Sequence, residues 1–256
     1  MQYLLLILAA IAGGAINSVA GGGTLVTFPT LLSVGVGPVA ANATSTVALV
    51  PGSLSAFWGY RSELQGPKHQ LLWLGVPSAI GGLLGAIFLL KAGDSLFSRL
   101  VPWLILSATG LFIVQDPVRR WTEKRLGSGD GASSSTARLI GVAFFQFLIA
   151  LYGGFFGAGI GILMLAALGM LGSQSIHRMN GLKNFAAVCI NSVAAATFIL
   201  QNRVRWDLAL MMAAGAIVGG YGGAGIAKKI GQKNVRRVVV VVGLSIGAYM
   251  LVKRYA

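Results

Sequence analysis

Between about Tyr3 and Val36 the chain is apolar without a single charge, and a second run of the same kind covers about Leu139 to Leu171. As a straight helix either run would be roughly 50 Å long at about 1.5 Å per residue, whereas the hydrocarbon core of a bilayer is about 30 Å thick. Each run therefore has to break. Gly21, Gly22 and Gly23 stand near the middle of the first, and three consecutive glycines favour non-helical backbone. Pro29 is expected to interrupt it a second time. The second run is expected to break at Gly153-Gly154 and at Gly157, Gly159 and Gly161. Each run then reads as two short helices meeting at a break, either as a re-entrant hairpin or as two crossings. Three ordinary spans follow in each half: about Ala40 to Tyr60, Leu71 to Leu90 and Phe97 to Val114, then about Ser175 to Leu200, Leu208 to Ala227 and Val235 to Val252.

The two halves are copies of one unit. A shift of 138 positions, without a gap, lays Gly21 on Gly159, Gly23 on Gly161 and Asn42 on Asn180. It also lays Gly81, Gly82 and Gly85 on Gly219, Gly220 and Gly223, and Gly93 on Gly231. The domain reading is a first transmembrane repeat over 1–115, a cytoplasmic linker over 116–137 and a second transmembrane repeat over 138–256. The linker is charged and then rich in Gly and Ser, as a solvated connection is. A duplicated apolar unit with a glycine-broken segment in each copy is the pattern of a secondary transporter. The Gly-x-x-x-Gly spacings at Gly81/Gly85 and Gly219/Gly223 read as close helix contacts rather than as ligand sites.

Composition agrees with a membrane protein. The chain of 256 residues is 55% hydrophobic and 10% charged, with a mean hydropathy of +0.78. Twenty basic residues against six acidic ones give a formal net charge of +14. The basic residues are scattered over short segments between apolar runs, so the partner they suit is the anionic cytoplasmic leaflet, and no nucleic acid is expected. The N-terminus lacks the positive stretch of a signal peptide and reads as a retained membrane segment. One cysteine, Cys189, excludes an intramolecular disulfide, and the two histidines show no metal-ligand spacing. No cofactor and no metal are expected.

Charge also bears on orientation. Lys183 lies inside a span and is set aside, which leaves nineteen Lys and Arg. If each broken run returns to its starting side, Lys91, Arg99, Arg203, Arg205, Lys253 and Arg254 fall on one side and the other thirteen on the opposite side. If each broken run crosses once, the split is 11 to 8. The positive-inside rule favours the lopsided arrangement. It implies inverted repeats, a cytoplasmic linker and both termini outside.

Inverted repeats bring their broken segments together near the bilayer midplane, where irregular backbone is tolerated if it is buried or lines a cavity. Half-helix N-termini there would favour an anion. The candidate binding set from the first half is Asn17, Gly21, Gly22, Gly23, Thr24, Asn42, Thr44 and Ser45. From the second half it is Gly157, Gly159, Gly161, Asn180, Lys183 and Asn184. Thr46 and Asn191 read instead as hydrogen-bonding glue between helices. Lys183 lies about nine residues into its span, roughly 13 Å deep, where a charge is expensive and usually functional. Arg178 is shallower and reads as a snorkelling interface residue. No Asp or Glu falls inside a clear span, so a carboxylate proton relay has no support.

These residues resemble the sulfite exporter TauE/SafE family, also called the TSUP family. The matching stretches are 15–24 with its glycine triplet, Pro29-Thr30-Leu31, 41–45, 177–184 and 219–224. The resemblance implies a bacterial inner-membrane permease for small anions, often sulfur oxyanions or organosulfonates such as sulfite or sulfoacetate. The expectation is an all-α polytopic bundle that moves such an anion outward by alternating access and is not an enzyme. The alternatives are an anion channel and an importer of another small organic anion. The partners expected are the anion, the lipid bilayer and, left open, a second copy in a homodimer.

Overall fold

The computed structural model describes residues 2–59, 61, 64, 69–126, 136–169, 176–230 and 232–255. Among them the chain is all-helical: α1 (Gln2–Ala20), α2 (Thr24–Ser33), α3 (Pro38–Gly59), α4 (His69–Leu126), α5 (Thr136–Phe155), α6 (Ile160–Gly169), α7 (Ile176–Leu200), α8 (Trp206–Ile230) and α9 (Gln232–Tyr255). Gly93, at φ 65° and ψ 178°, divides α4 into two arms. Within the described residues the expected spans are found as helices; Tyr60 and Ser175, at the ends of two of them, lie outside those residues. The helix of α4 continues into the predicted linker as far as Leu126, and the Gly/Ser run at 127–135 lies outside the described residues.

Both apolar runs break, but not everywhere the glycines suggested. The first breaks over Gly21–Gly23. Pro29 does not interrupt α2, which runs through it to Ser33. The single hydrogen bond it removes is tolerated because Phe28 and Leu31 on either side are fully buried and neighbouring helices enclose the backbone. The second run breaks over 156–159, whereas Gly153 and Gly154 stay helical. Their lack of a side chain serves packing, since a Cβ on Gly154 would collide with the carbonyl of Gly82. The duplicated positions Gly21 and Gly159 share a left-handed backbone, φ 71° and 77°, which is costly for a residue with a Cβ.

The chain doubles back at the first break. Thr27 of α2 lies beside Gly13 of α1, and the carbonyl of Gly23 accepts from the Thr27 hydroxyl at 3.2 Å. Two long-range bonds then define one face of the bundle. The Val39 N–H at the start of α3 donates to Asp94 Oδ1 (2.8 Å), next to the Gly93 kink. The Arg205 N–H, between α7 and α8, donates to Thr44 Oγ1 (3.0 Å). On α1, Ile7 packs against Gly215 and Ile11 against Gly219 of α8, so α1 runs in the same direction as α8 and starts on this same Asp94 face. Helices α1, α3 and α8 therefore start at the Asp94 face, while α7 and the first arm of α4 end there.

Packing repeats with the sequence. A Cβ on Gly82 of α4 would lie 3.0 Å from the Ile190 carbonyl of α7, and one on Gly220 of α8 would lie 2.7 Å from the Gly52 carbonyl of α3. The second pair is the first shifted by 138 positions. Gly81 and Gly85 sit against α5, and Gly219 against Ile11 of α1, so these glycines are close helix contacts as expected. Buried apolar residues form one cluster around Phe28, Phe97 and Phe112 and another around Ile149, Met164 and Ile190.

The outer surface carries Leu4, Leu5, Leu72, Val76, Phe88, Trp103, Phe144, Leu200, Leu210 and Val218 exposed, a coat that water would not tolerate and lipid would. Trp58, Trp73 and Trp206 stand exposed at helix ends, where aromatic residues favour the membrane interface. By length and composition, Leu71–Val114 and Arg178–Leu200 are long and apolar enough to cross a membrane, the former bent at Gly93.

Candidate functional site

The two breaks touch. The Gly161 N–H donates to the Gly21 carbonyl at 3.4 Å, and a Cβ on Gly21 would lie 2.5 Å from Gly161 Cα. Thr24 Oγ1 would lie 3.7 Å from a Cβ on Gly157, so each half contributes to one central meeting point. Gly21, Gly22, Gly23, Thr24, Gly159 and Gly161 are buried there and Gly157 is half-buried. One expectation is corrected: the Gly161 N–H is engaged by the opposite break rather than free for a ligand.

Polar side chains from the two halves cross over this meeting point. Lys183 of α7 is 1% exposed, and its Nζ donates to the Ser18 carbonyl at 3.3 Å. Asn42 of α3 is equally buried, and its Nδ2 donates to the Phe155 carbonyl at 3.3 Å. Ser18 and Phe155 lie in the last turns of α1 and α5, where carbonyls have no partner within their own helix. A cation at a helix C-terminus also meets the negative end of the dipole. Lys183 therefore does not snorkel. It is held inside the protein at the end of a helix from the other half.

Two buried polar atoms at this level have no hydrogen-bond partner, Asn42 Oδ1 and Asn184 Nδ2. An unmet amide costs about 1–3 kcal/mol when buried, and a polar ligand is one way to recover it. Asn184 adjoins Lys183 in sequence and is 4% exposed.

The remaining candidates divide. Asn17 is half-buried, and its Nδ2 donates to Ser53 Oγ at 2.8 Å. Ser45 is fully buried and its hydroxyl pairs with that of Thr27 at 2.6 Å. Asn180 is half-buried on the first turns of α7. Thr44 is engaged elsewhere: its hydroxyl accepts the Arg205 N–H and anchors the α7–α8 connection. The open approach expected over Gly22 is also absent. A Cβ there would run into the ring of Phe112, a fully buried residue of the second arm of α4. Thr46 bonds the Asn42 carbonyl within its own helix, as glue does. Sequence reasoning missed Thr27, Ser53 and Phe112, whose positions depend on how α2, α3 and α4 fold back against α1. No period along the chain marks them.

At the Asp94 face Arg205 forms a two-pronged pair with Asp207, Nε to Oδ1 at 3.1 Å and Nη2 to Oδ2 at 2.8 Å. The hydrogen bond from Arg205 holds the Asp207 carboxyl below the usual carboxylate range, and the same bond raises Arg205. Both side chains are more than half exposed, so this pair belongs to the rim.

An apolar-coated helical bundle with two touching breaks and a buried cation between its halves defines a polytopic membrane protein of the transporter kind. The chain belongs to the sulfite exporter TauE/SafE family, whose sequence model matches residues 5–250. It is 29% identical over 239 residues to a probable membrane transporter protein of Haemophilus influenzae, covering 92% of this chain and 89% of that one. It is 26% identical to the probable membrane transporter protein ORF9 of Sinorhizobium sp, over 96% of this chain and 91% of that one. It is likewise 26% identical to the probable membrane transporter protein YfcA of Escherichia coli K12, over 94% and 87%. No solved structure matches the chain. The family and the names of these relatives indicate a membrane transporter rather than an enzyme.

Proposed function

We propose that the protein is a secondary carrier that moves a small anion, of the sulfur oxyanion or organosulfonate class, outward across the bacterial inner membrane by alternating access. The observation that carries this reading is the meeting of the two breaks beside Lys183. A buried cation, an unmet Asn184 amide and the Thr24 hydroxyl give positive charge and hydrogen-bond donors inside an apolar bundle. The substrate set is Asn17, Gly21, Gly23, Thr24, Asn42, Ser45, Gly157, Gly159, Asn180, Lys183 and Asn184. The family name supports the sulfur chemistry of the substrate.

The halves form inverted repeats. Helices α3 and α7 are duplicated counterparts, and one leaves the Asp94 face while the other arrives at it. The same holds for α8 and the first arm of α4. Lys91, Arg203 and Arg205 fall with the Asp94 face, the less basic side of the charge count, which supports placing that face and both termini outside. Outward movement of an anion from a negative-inside cell is favoured by about 2.3 kcal/mol per charge per 100 mV, so no coupling ion is required.

The test is flux through the purified protein in liposomes, with sulfite, sulfate, thiosulfate, sulfoacetate and taurine as probes. Saturable efflux of a sulfur anion, accelerated by the same anion on the far side, is expected. Flux that neither saturates nor responds to the far side would mean a channel. No flux of any of the charged probes would overturn the anion reading.

A further inference from the structure

The duplication makes one departure from symmetry conspicuous. Phe28, Phe97, Phe155 and Phe156 form a linked set of edge-to-face rings, with centroids 5.5 Å apart for Phe28–Phe156, 5.6 Å for Phe97–Phe155, 5.9 Å for Phe28–Phe97 and 6.1 Å for Phe97–Phe156. Three of the four are at most 1% exposed and Phe155 is half-buried. Phe97 lies one turn beyond Gly93 and so close to the Asp94 face, while Phe156 is part of the second break. The rings therefore span the distance from the central meeting point to that face.

Shifted by 138 positions, the same four places hold Ala166, Val235, Asn17 and Ser18. None is aromatic, and two are polar. Ser18 is moreover the residue whose carbonyl Lys183 binds, and Asn17 bonds Ser53. One break is thus packed with phenylalanines, and its counterpart holds a cation and hydrogen-bonding groups that are equally buried, Lys183 1% and Ser18 3% exposed with Asn17 half-buried.

We propose that the Phe28–Phe97–Phe155–Phe156 cluster is the gate of the carrier on its Asp94 face, and that the polar counterpart around Asn17, Ser18 and Lys183, itself buried in this structure, is the side that opens to let an anion reach the centre from the opposite face. This rests on the carrier reading above and adds to it the identity and side of the gate. A desolvated stack of rings gives an anion no hydrogen bond, so it blocks passage until α2 and the second arm of α4 separate. The opposite side, once open, presents an ammonium that draws the anion in.

The test uses the full chain with Cys189→Ser, inserted in vesicles of known orientation, and a membrane-impermeant, negatively charged thiol reagent added to one face at a time. Asn17→Cys is expected to label from the face opposite Asp94 and to be at least tenfold slower from the Asp94 face. Adding Phe97→Ala or Phe28→Ala is expected to raise labelling from the Asp94 face to within about threefold of the other. The two aromatic variants are made separately, and size-exclusion profiles identify either one that fails to fold. Equal labelling from both faces with the cluster intact overturns the proposal, as does labelling that neither aromatic truncation changes in a folded protein. The readout needs no substrate: one-sided labelling without anion flux keeps the gate and removes the anion reading, and flux with two-sided labelling does the reverse.

Discussion

Lys183→Met separates the two roles that geometry gives this residue. Methionine keeps the length and apolar bulk and removes the charge. As a cap, Lys183 donates a charge-assisted bond to the Ser18 carbonyl at 3.3 Å, the kind worth about 1.5–3 kcal/mol. Losing it should lower the midpoint of thermal unfolding by roughly 2–4 °C per kcal/mol for a chain of about this size. As the charge that recognises substrate, Lys183 would sit about 4 Å from an anion, where a unit pair is worth about 4 kcal/mol at an effective dielectric near 20. Part of that is offset by desolvating the anion, so a loss of about 1.4–2.8 kcal/mol, or 10- to 100-fold in Kd, is expected. Calorimetric binding of sulfite or sulfoacetate to the purified variant, beside its unfolding midpoint, measures both. Lys183→Arg should restore most of the midpoint and only part of the affinity, because a planar fork and a point charge differ in geometry. Arg178→Met, half-buried nearer the start of α7, should leave affinity within about threefold. A lower midpoint with unchanged Kd would refute the recognition role and leave Lys183 as a helix cap alone.

Gly22→Leu should abolish flux and lower stability, since even a Cβ meets the Phe112 ring and overpacking costs about 1–3 kcal/mol. Gly22→Ala should cost less stability in a Phe112→Leu background than in wild type, and equal costs in an unfolding assay would remove Phe112 as the cause. Reporter tags should place Gly127 to Ser135 inside and both termini outside; a linker and C-terminus on the same side would sink the inverted repeat. Asp207→Asn should hardly change the unfolding midpoint at neutral pH, because its partner is exposed and screened. The carboxyl is depressed in the folded protein, so what it contributes is present above the ordinary carboxylate pKa and fades as pH falls through the lower folded value. Wild type and variant should therefore converge in acid, and a midpoint difference that grows there would contradict the pairing.

What the sequence by itself determined was everything that depends on counting along the chain. Apolar length required a break in each long run, the 138-residue shift exposed the duplication, and the same shift carries the left-handed turn at Gly21 onto Gly159 and the Gly82–Ile190 contact onto Gly220–Gly52. The depth of Lys183 was equally legible, because charge inside an apolar span is rare. What lies across the bundle was not. That Lys183 reaches Ser18, that Thr44 holds the Arg205 connection and that Phe112 fills the face of Gly22 are contacts 165, 161 and 90 positions apart in the chain. Pro29 and Gly153-Gly154 were misleading for the same reason. A proline or glycine weakens a helix only by its local cost, and in a packed bundle the neighbours that enclose Phe28 and Leu31, or that press the Gly82 carbonyl onto Gly154, decide whether the helix continues. Local propensity sets where a membrane helix can break, and tertiary packing selects which of those places does.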